Sequence, residues 1–281
     1  MVQLGNIKYS VDIADLLVRQ GEHRAALTLL LIAISASSSK MFPEGTESID
    51  CPAVKPGKTN PMGDKEKFIR FLGPRLRIAM GFIGIPEDGR HKELFEFSAE
   101  FPRPEEYIYK ECRCPQIHEA GLPDAIRFVA NNETDLGPLS ITLDLKEGFS
   151  FNSGFLSLLR WSVVEAPING VEFGKKHFRA TSDAFASVED FTEKKSSTLG
   201  VSPGRITLIF QLLSELKSIN SHLNDEEFKA SFIKKLESRK DAAFTLSSTG
   251  SPIIRDGKVT NTGLNLVDEI FKNFNFVDIA S

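Results

Sequence analysis

The run AALTLLLIAISA (25–36) constrains this chain more than any other stretch. It is too short to cross a bilayer, which takes about 20 apolar residues. Nor does it alternate as a half-exposed strand would. It therefore reads as the buried helix of a helical core. Upstream, Ile13, Leu16 and Leu17, and within the run Leu27, Leu30, Leu31 and Ile34, recur at three- and four-residue spacing. That pattern predicts a helix across 11–37, weakened in the middle by Gly21.

Around this core the pattern is mostly helical. Residues 37–63 have no period and are rich in Pro, Gly and Ser, an uncommonly long connection for a compact domain. Asp64 can cap a helix through KEKFIRFLGPRLRIAMGF, which Gly73-Pro74 should break or kink. KELFEFSAEF and PEEYIYKEC predict two more helices. Between about 125 and 152, AIRFVA, LSITLDL and GFSF are short and rich in β-branched or aromatic residues, which predicts a three-strand meander. Helical spacing returns in GFLSLLRWSVVEA (154–166) and stops at Pro167.

The segment TEKKSSTLGVSPG (192–204) reads as a linker, which sets an N-terminal domain over 1–190 and a C-terminal module over 200–281. The module begins with two helices, RITLIFQLLSELKSI and NDEEFKASFIKKLES, the second capped by Asn224 or Asp225. FTLSS and PIIRDGKVT follow as strand-like pieces with an Asp256-Gly257 turn, and TGLNLVDEIFKNF closes as a helix. Helix, helix, hairpin, helix is compatible with a winged-helix-like module; a plain helical appendage fits nearly as well. The fold class expected is mainly α: a helical bundle with a small β-meander insertion, plus a small C-terminal α+β module.

A formal net charge of −4 argues against a surface built to coat duplex nucleic acid, although a local basic cleft remains compatible with it. Three cysteines do not make a disulfide framework, and the N-terminus lacks the marks of a signal peptide, so the expected location is the cytoplasm.

Among short motifs, PGKT (56–59) lacks the preceding glycine and following helix of a phosphate loop. Cys112 and Cys114 form a lone C-x-C without the second pair that zinc needs; two half-buried thiols are the plainer reading. Glu22-His23-Arg24 reads as a solvated stripe rather than a site, with the lining of a cleft as the alternative. No metal or cofactor is expected.

There remains RCPQIH, which sets Arg113 and His118 five residues apart. On a straight helix that separation is roughly 140° of rotation, so the two side chains would not share a face. Pro115 between them must start a new helix or kink the old one, swinging Arg113 toward His118. Alternatively, one subunit's arginine meets the other's histidine across a two-fold axis.

An R-x4-H motif late in a helical domain, after an apolar first helix of the AALTLLLIAISA kind, resembles the HEPN family of helical ribonucleases and defence toxins. DKEKFIRFL after the long loop and LSLLRWSVVEAP as a closing helix suit the same pattern over roughly residues 8–170. The chain departs from it at Cys114, often a polar residue in the family, and in the β insertion. Ala120 stands where relatives paired with nucleotidyltransferase antitoxins often carry a tyrosine.

The resemblance implies a dimeric endoribonuclease that needs no metal, a toxin or anti-phage effector with an antitoxin or activator protein as partner and no membrane attachment. In it Arg113 and His118 are catalytic. Of Tyr107 and Tyr109, one is expected to stack bases and the other to face the core, Lys110 to contact phosphate, and Glu119 either to orient His118 or to lie exposed. The competing expectation is a non-catalytic module that binds RNA, nucleotide or a protein partner.

Overall fold

A computed structural model describes residues 6–53, 58–80, 103–114, 126–129, 143–144, 149–238 and 251–280. The chain is mainly helical with a few small sheets, and it divides into two compact units, Met1–Gly174 and Lys175–Ser281. The division lies earlier than the expected 192–204 linker. That segment is instead helical: Ser187 caps its helix by accepting the Asp190 N–H at 3.2 Å, Phe191 buries its first turn, and left-handed Gly200 ends it.

In the first unit, the helix expected over 11–37 is two helices, α1 (Asn6–Arg19) and α2 (His23–Met41). Gly21 does more than weaken the middle. It adopts φ +81° while its N–H donates to Val18 O and the Glu22 N–H to Leu17 O, the two bonds of a Schellman stop. The chain turns back, and α2 packs against α1, α3 (Asp64–Ala79) and α5 (Ser153–Val164). Leu27, Leu30, Leu31 and Ile34 are fully buried, as the apolar run requires.

Helix α3 is continuous through Pro74, where a break or kink was expected. Proline removes one hydrogen bond at a cost of about 3 kcal/mol, but Phe68, Phe71, Leu72 and Leu76 around it are all buried. Burial of four large apolar side chains, at about 1.5–3 kcal/mol each, outweighs the lost bond. Gly63 rather than Asp64 occupies the cap position, and Asp64 is the first helical residue.

α4 (Pro104–Tyr107) runs into a π-helical turn, Ile108–Arg113. The predicted KELFEFSAEF helix lies outside the described residues. Strands β1 (Ile126–Phe128), β2 (Leu143–Asp144) and β3 (Phe149–Phe151) make a sheet ordered β1-β3-β2. It is not a meander, because β1 runs parallel to β3 and only β2 and β3 are antiparallel neighbours. A parallel pair needs a connection of a dozen or more residues, and the stretch between β1 and β3 supplies it. After α5 come a 3-10 turn, Pro167–Asn169, and α6 (Gly170–Phe173).

The second unit contains β4 (Phe178–Thr181), α7 (Val188–Leu199), α8 (Pro203–Ile219), α9 (Asp225–Ser238), a hairpin of β5 (Ile254–Arg255) and β6 (Lys258–Val259), α10 (Asn261–Asn273) and β7 (Asn275–Asp278). Asn224 caps α9 with a capping box: its side chain accepts the Glu227 N–H at 3.0 Å while Glu227 accepts the Asn224 N–H at 3.2 Å. The hairpin turns on Asp256 (φ 52°) and Gly257 (φ 73°), as Asp-Gly predicted. FTLSS lies outside the described residues. The antiparallel β4–β7 ribbon was not predicted; four-residue strands carry too short an alternation to stand out.

Gly263 sits where α10 meets the hairpin, and a Cβ there would come 2.7 Å from both Ile253 O and Val259 Cγ1. Gly263→Ala is therefore expected to destabilise the second unit by about 1–3 kcal/mol, because a backbone oxygen cannot rotate aside. Urea unfolding reads the shift; an unmoved midpoint would show that the hairpin yields freely.

Candidate functional site

The site begins with the π turn. Its i→i+5 bond, Cys114 N–H to Tyr109 O, marks a turn wider than the α-helical one. Ile108 and Cys112 fill the core, both fully buried, and Arg113 comes to lie over Tyr109 with its guanidinium carbon 5.2 Å from the ring centroid. Tyr109 is itself fixed edge-on against Phe68 at 5.3 Å.

Two elements distant in sequence complete the setting. Arg113 Nε donates to Ser35 Oγ of α2, and Nη2 to Asp64 Oδ2 of α3, both at 3.4 Å. Charge-assisted bonds of full strength are 2.7–2.9 Å, so these contacts orient the guanidinium without saturating it. The Arg113 side chain is 14% exposed and that of Asp64 70%. The sequence reading missed Ser35 and Asp64, since no local pattern links residues so far apart.

His118 and Glu119 lie outside the described residues, and so does Pro115. Lys110 is exposed, with Nζ 2.9 Å from Glu111 Oε1, and that hydrogen bond raises its ammonium above the ordinary value. Tyr107 and Tyr109 are both partly buried against the core, and Tyr109 also carries Arg113 over its ring. Burial pushes the Tyr109 hydroxyl above its ordinary value, against the pull of Arg113. Cys112 is not half-buried but completely enclosed, and desolvation raises its thiol far out of the reactive range. His23, expected on a solvated stripe, stacks instead on Phe128 with centroids 3.6 Å apart, and desolvation lowers its imidazole below the ordinary value.

The long loop before Asp64 is tied down by one carboxylate. Glu66 accepts from Ser48 Oγ at 2.7 Å, Ile49 N–H at 2.9 Å, Asp50 N–H at 3.0 Å and Arg70 Nε at 2.9 Å, and Arg70 also pairs with Asp50. Farther along, Ser48 N–H donates to Asn60 O and Met62 N–H to Thr46 O, closing the loop at its base. Of the rejected PGKT motif, Pro56 and Gly57 lie outside the described residues, while Lys58 and Thr59 are exposed.

Burial alone would raise the Glu66 carboxyl, but the bonds from Ser48, Asp50, Arg70 and Ile49 together hold it below the usual carboxylate range. The unfolded chain thus binds the proton more readily, so this anchor is complete above the ordinary glutamate range near about 4.3 and is lost as pH falls through the lower folded value. Amide protection at Ile49 and Asp50 is expected to fall over that window and to lose its pH dependence in Glu66→Gln. Hydrogen exchange checks this; protection that persists unchanged would place the anchor elsewhere.

Among the described residues no group of three or more His, Cys, Asp or Glu side chains could hold a metal ion, and no helix is long and apolar enough to cross a membrane. No family model matches the chain, and neither a curated protein nor a solved structure matches it.

Proposed function

We propose that the chain is an endoribonuclease of HEPN type that cleaves RNA without a metal and works as a dimer, in the setting of a toxin or anti-phage effector. The observation that supports it is the state of Arg113: laid on Tyr109, aimed by two long contacts, and placed at the end of the helical turn that leads directly into Pro115 and His118. A guanidinium held only by such long contacts can give its donors up to phosphate oxygens.

In the proposed reaction the ribose 2′-hydroxyl attacks the adjacent phosphorus. The P–O5′ bond breaks, leaving a 2′,3′-cyclic phosphate and a 5′-hydroxyl. His118 takes the 2′-hydroxyl proton or delivers one to the leaving 5′-oxygen; the pair contributed by a second copy supplies the other role. Arg113 neutralises the charge gathering on the phosphorane oxygens. The small C-terminal unit, with its hairpin between helices, is read as a winged-helix-like module that docks a partner.

The test is cleavage of a labelled RNA in EDTA by the wild type, Arg113→Ala and His118→Ala, with end-group analysis. Cleavage by the wild type alone, leaving cyclic phosphates, is the expected result. Equal activity in all three overturns the assignment. A second reading, a binding module that does not cleave, draws on the bridging of α2 and α3 by Arg113; under it Arg113→Ala loses stability and the wild type leaves RNA intact.

A further inference from the structure

Asp64 is the only carboxylate among the described residues that pairs with Arg113, and its placement is unusual for a structural ion pair. Its side chain is mostly in solvent, whereas the guanidinium it faces is mostly enclosed. The contact is long, at 3.4 Å. Asp64 is also unused in the role its position in the sequence suggested, since Gly63 holds the cap position of α3 and no side chain caps that helix. The buried ionic groups of the same helix behave differently. Arg70 and Glu66 meet at 2.9 Å with side chains only 3% and 9% exposed.

We infer that Asp64 occupies the phosphate position on Arg113 in the resting protein and must swing off before a phosphodiester can bind, so that it sets the affinity of the site for RNA. This rests on the proposed reading of Arg113 as the phosphate-holding group. The chemistry is an exchange of anions on one guanidinium. A carboxylate at 3.4 Å on a single Nη2 is a weak holder, and a phosphodiester can engage two donors at once. The backbone of Asp64 does not need to move. Glu66 and Arg70, two and six residues on, lock the start of α3 to the preceding loop, while the exposed carboxylate can rotate about its own side-chain bonds into water. Tyr109 and Ser35 stay in place and keep the guanidinium aimed during the exchange. An incoming phosphate finds a preset arginine at the cost of releasing one surface carboxylate.

The experiment is a binding cycle on the full chain, with a short fluorescent 2′-O-methyl RNA that this chemistry cannot cleave, in EDTA at low ionic strength. Four proteins are compared: wild type, Asp64→Asn, Arg113→Ala and the double variant. Asp64→Asn is expected to tighten binding roughly 5-fold where Arg113 is present, the upper range of an exposed pair. It should have less than about a third of that effect in the Arg113→Ala background, which separates competition for one guanidinium from a general loss of negative charge. Equal tightening in both backgrounds overturns the inference, as does an Asp64→Asn protein that binds no better than wild type. All-ribose RNA is incubated with the same proteins in parallel. The expected binding pattern without cleavage would sink the nuclease reading while leaving the anion exchange standing.

Discussion

Glu105→Ala is expected to destabilise the first unit by about 3–5 kcal/mol, the usual result of stripping one partner from a buried ion pair. Glu105 is completely buried, and the Arg77 side chain opposite is 2% exposed. Arg77 Nη1 lies 3.1 and 3.2 Å from the two carboxylate oxygens and donates to Gly73 O at 2.8 Å. Without the carboxylate the enclosed guanidinium keeps its bond to Gly73 O but loses its ion pair with Glu105. Burial pushes the Glu105 carboxyl above its ordinary range in spite of the guanidinium, a sign that desolvation costs more here than pairing returns. Replacing both members, as in Arg77→Met with Glu105→Leu, should therefore recover most of the loss. Urea unfolding of the single and double variants measures both effects. A Glu105→Ala midpoint equal to wild type would show that the remaining contacts of the guanidinium hold its charge without the carboxylate.

Under the proposed function, the largest effects on activity are expected at the two motif residues. His118→Ala should lower RNA cleavage about 10²- to 10⁴-fold, the range of a positioned acid–base group. Arg113→Ala should lower it about 10²- to 10³-fold, as for a donor that meets developing negative charge. Arg113→Lys should restore little of this, because an ammonium has neither the two-pronged geometry nor the flat face that rests on Tyr109. Melting should move little in the arginine variants: contacts of 3.4 Å to Ser35 and Asp64 hold at most about 1 kcal/mol. Single-turnover rates with fluorescence melting distinguish the outcomes. A collapse of folding in Arg113→Ala with cleavage undiminished per folded molecule would make the arginine a strut.

What could be read from the sequence was local. Leucine spacing marked α2, Asp256-Gly257 marked the hairpin, and Asn224 or Asp225 as cap marked the start of α9, because each is decided by residues within a turn or two. Pro74 misled because its local penalty is fixed, whereas the burial that overrides it depends on neighbours from other helices. The partner of β1 was hidden for a similar reason: β-branched residues predict an extended chain but not whether the next strand or the one after it lies alongside. Segment 192–204 looked like a linker from its Ser, Lys and Gly content, while the cap and the stop that make most of it a helix lie at Ser187 and Gly200. At the candidate site, Arg113 and, on the helix before it, Tyr109 were legible as separate candidates. The π turn that stacks them was not, nor were Ser35 and Asp64, which meet the arginine only after α2 and α3 have packed.

Each unit is fastened by its own first and last elements. In one, the Lys8 N–H of α1 donates to Glu172 of α6; in the other, β4 pairs with β7 from Phe178–Asp278 to Thr181–Asn275. During synthesis neither unit can reach its final form until its closing residues have left the ribosome, and at about 5–20 residues per second that leaves seconds of waiting. Topologies whose contacts span so much chain also fold more slowly than ones built from neighbours, since the entropy of closing the loop is lost before the contacts that reward it form. The apolar face of α2, made early, must therefore spend that interval without its last partners, which makes the nascent first unit a natural client for chaperones.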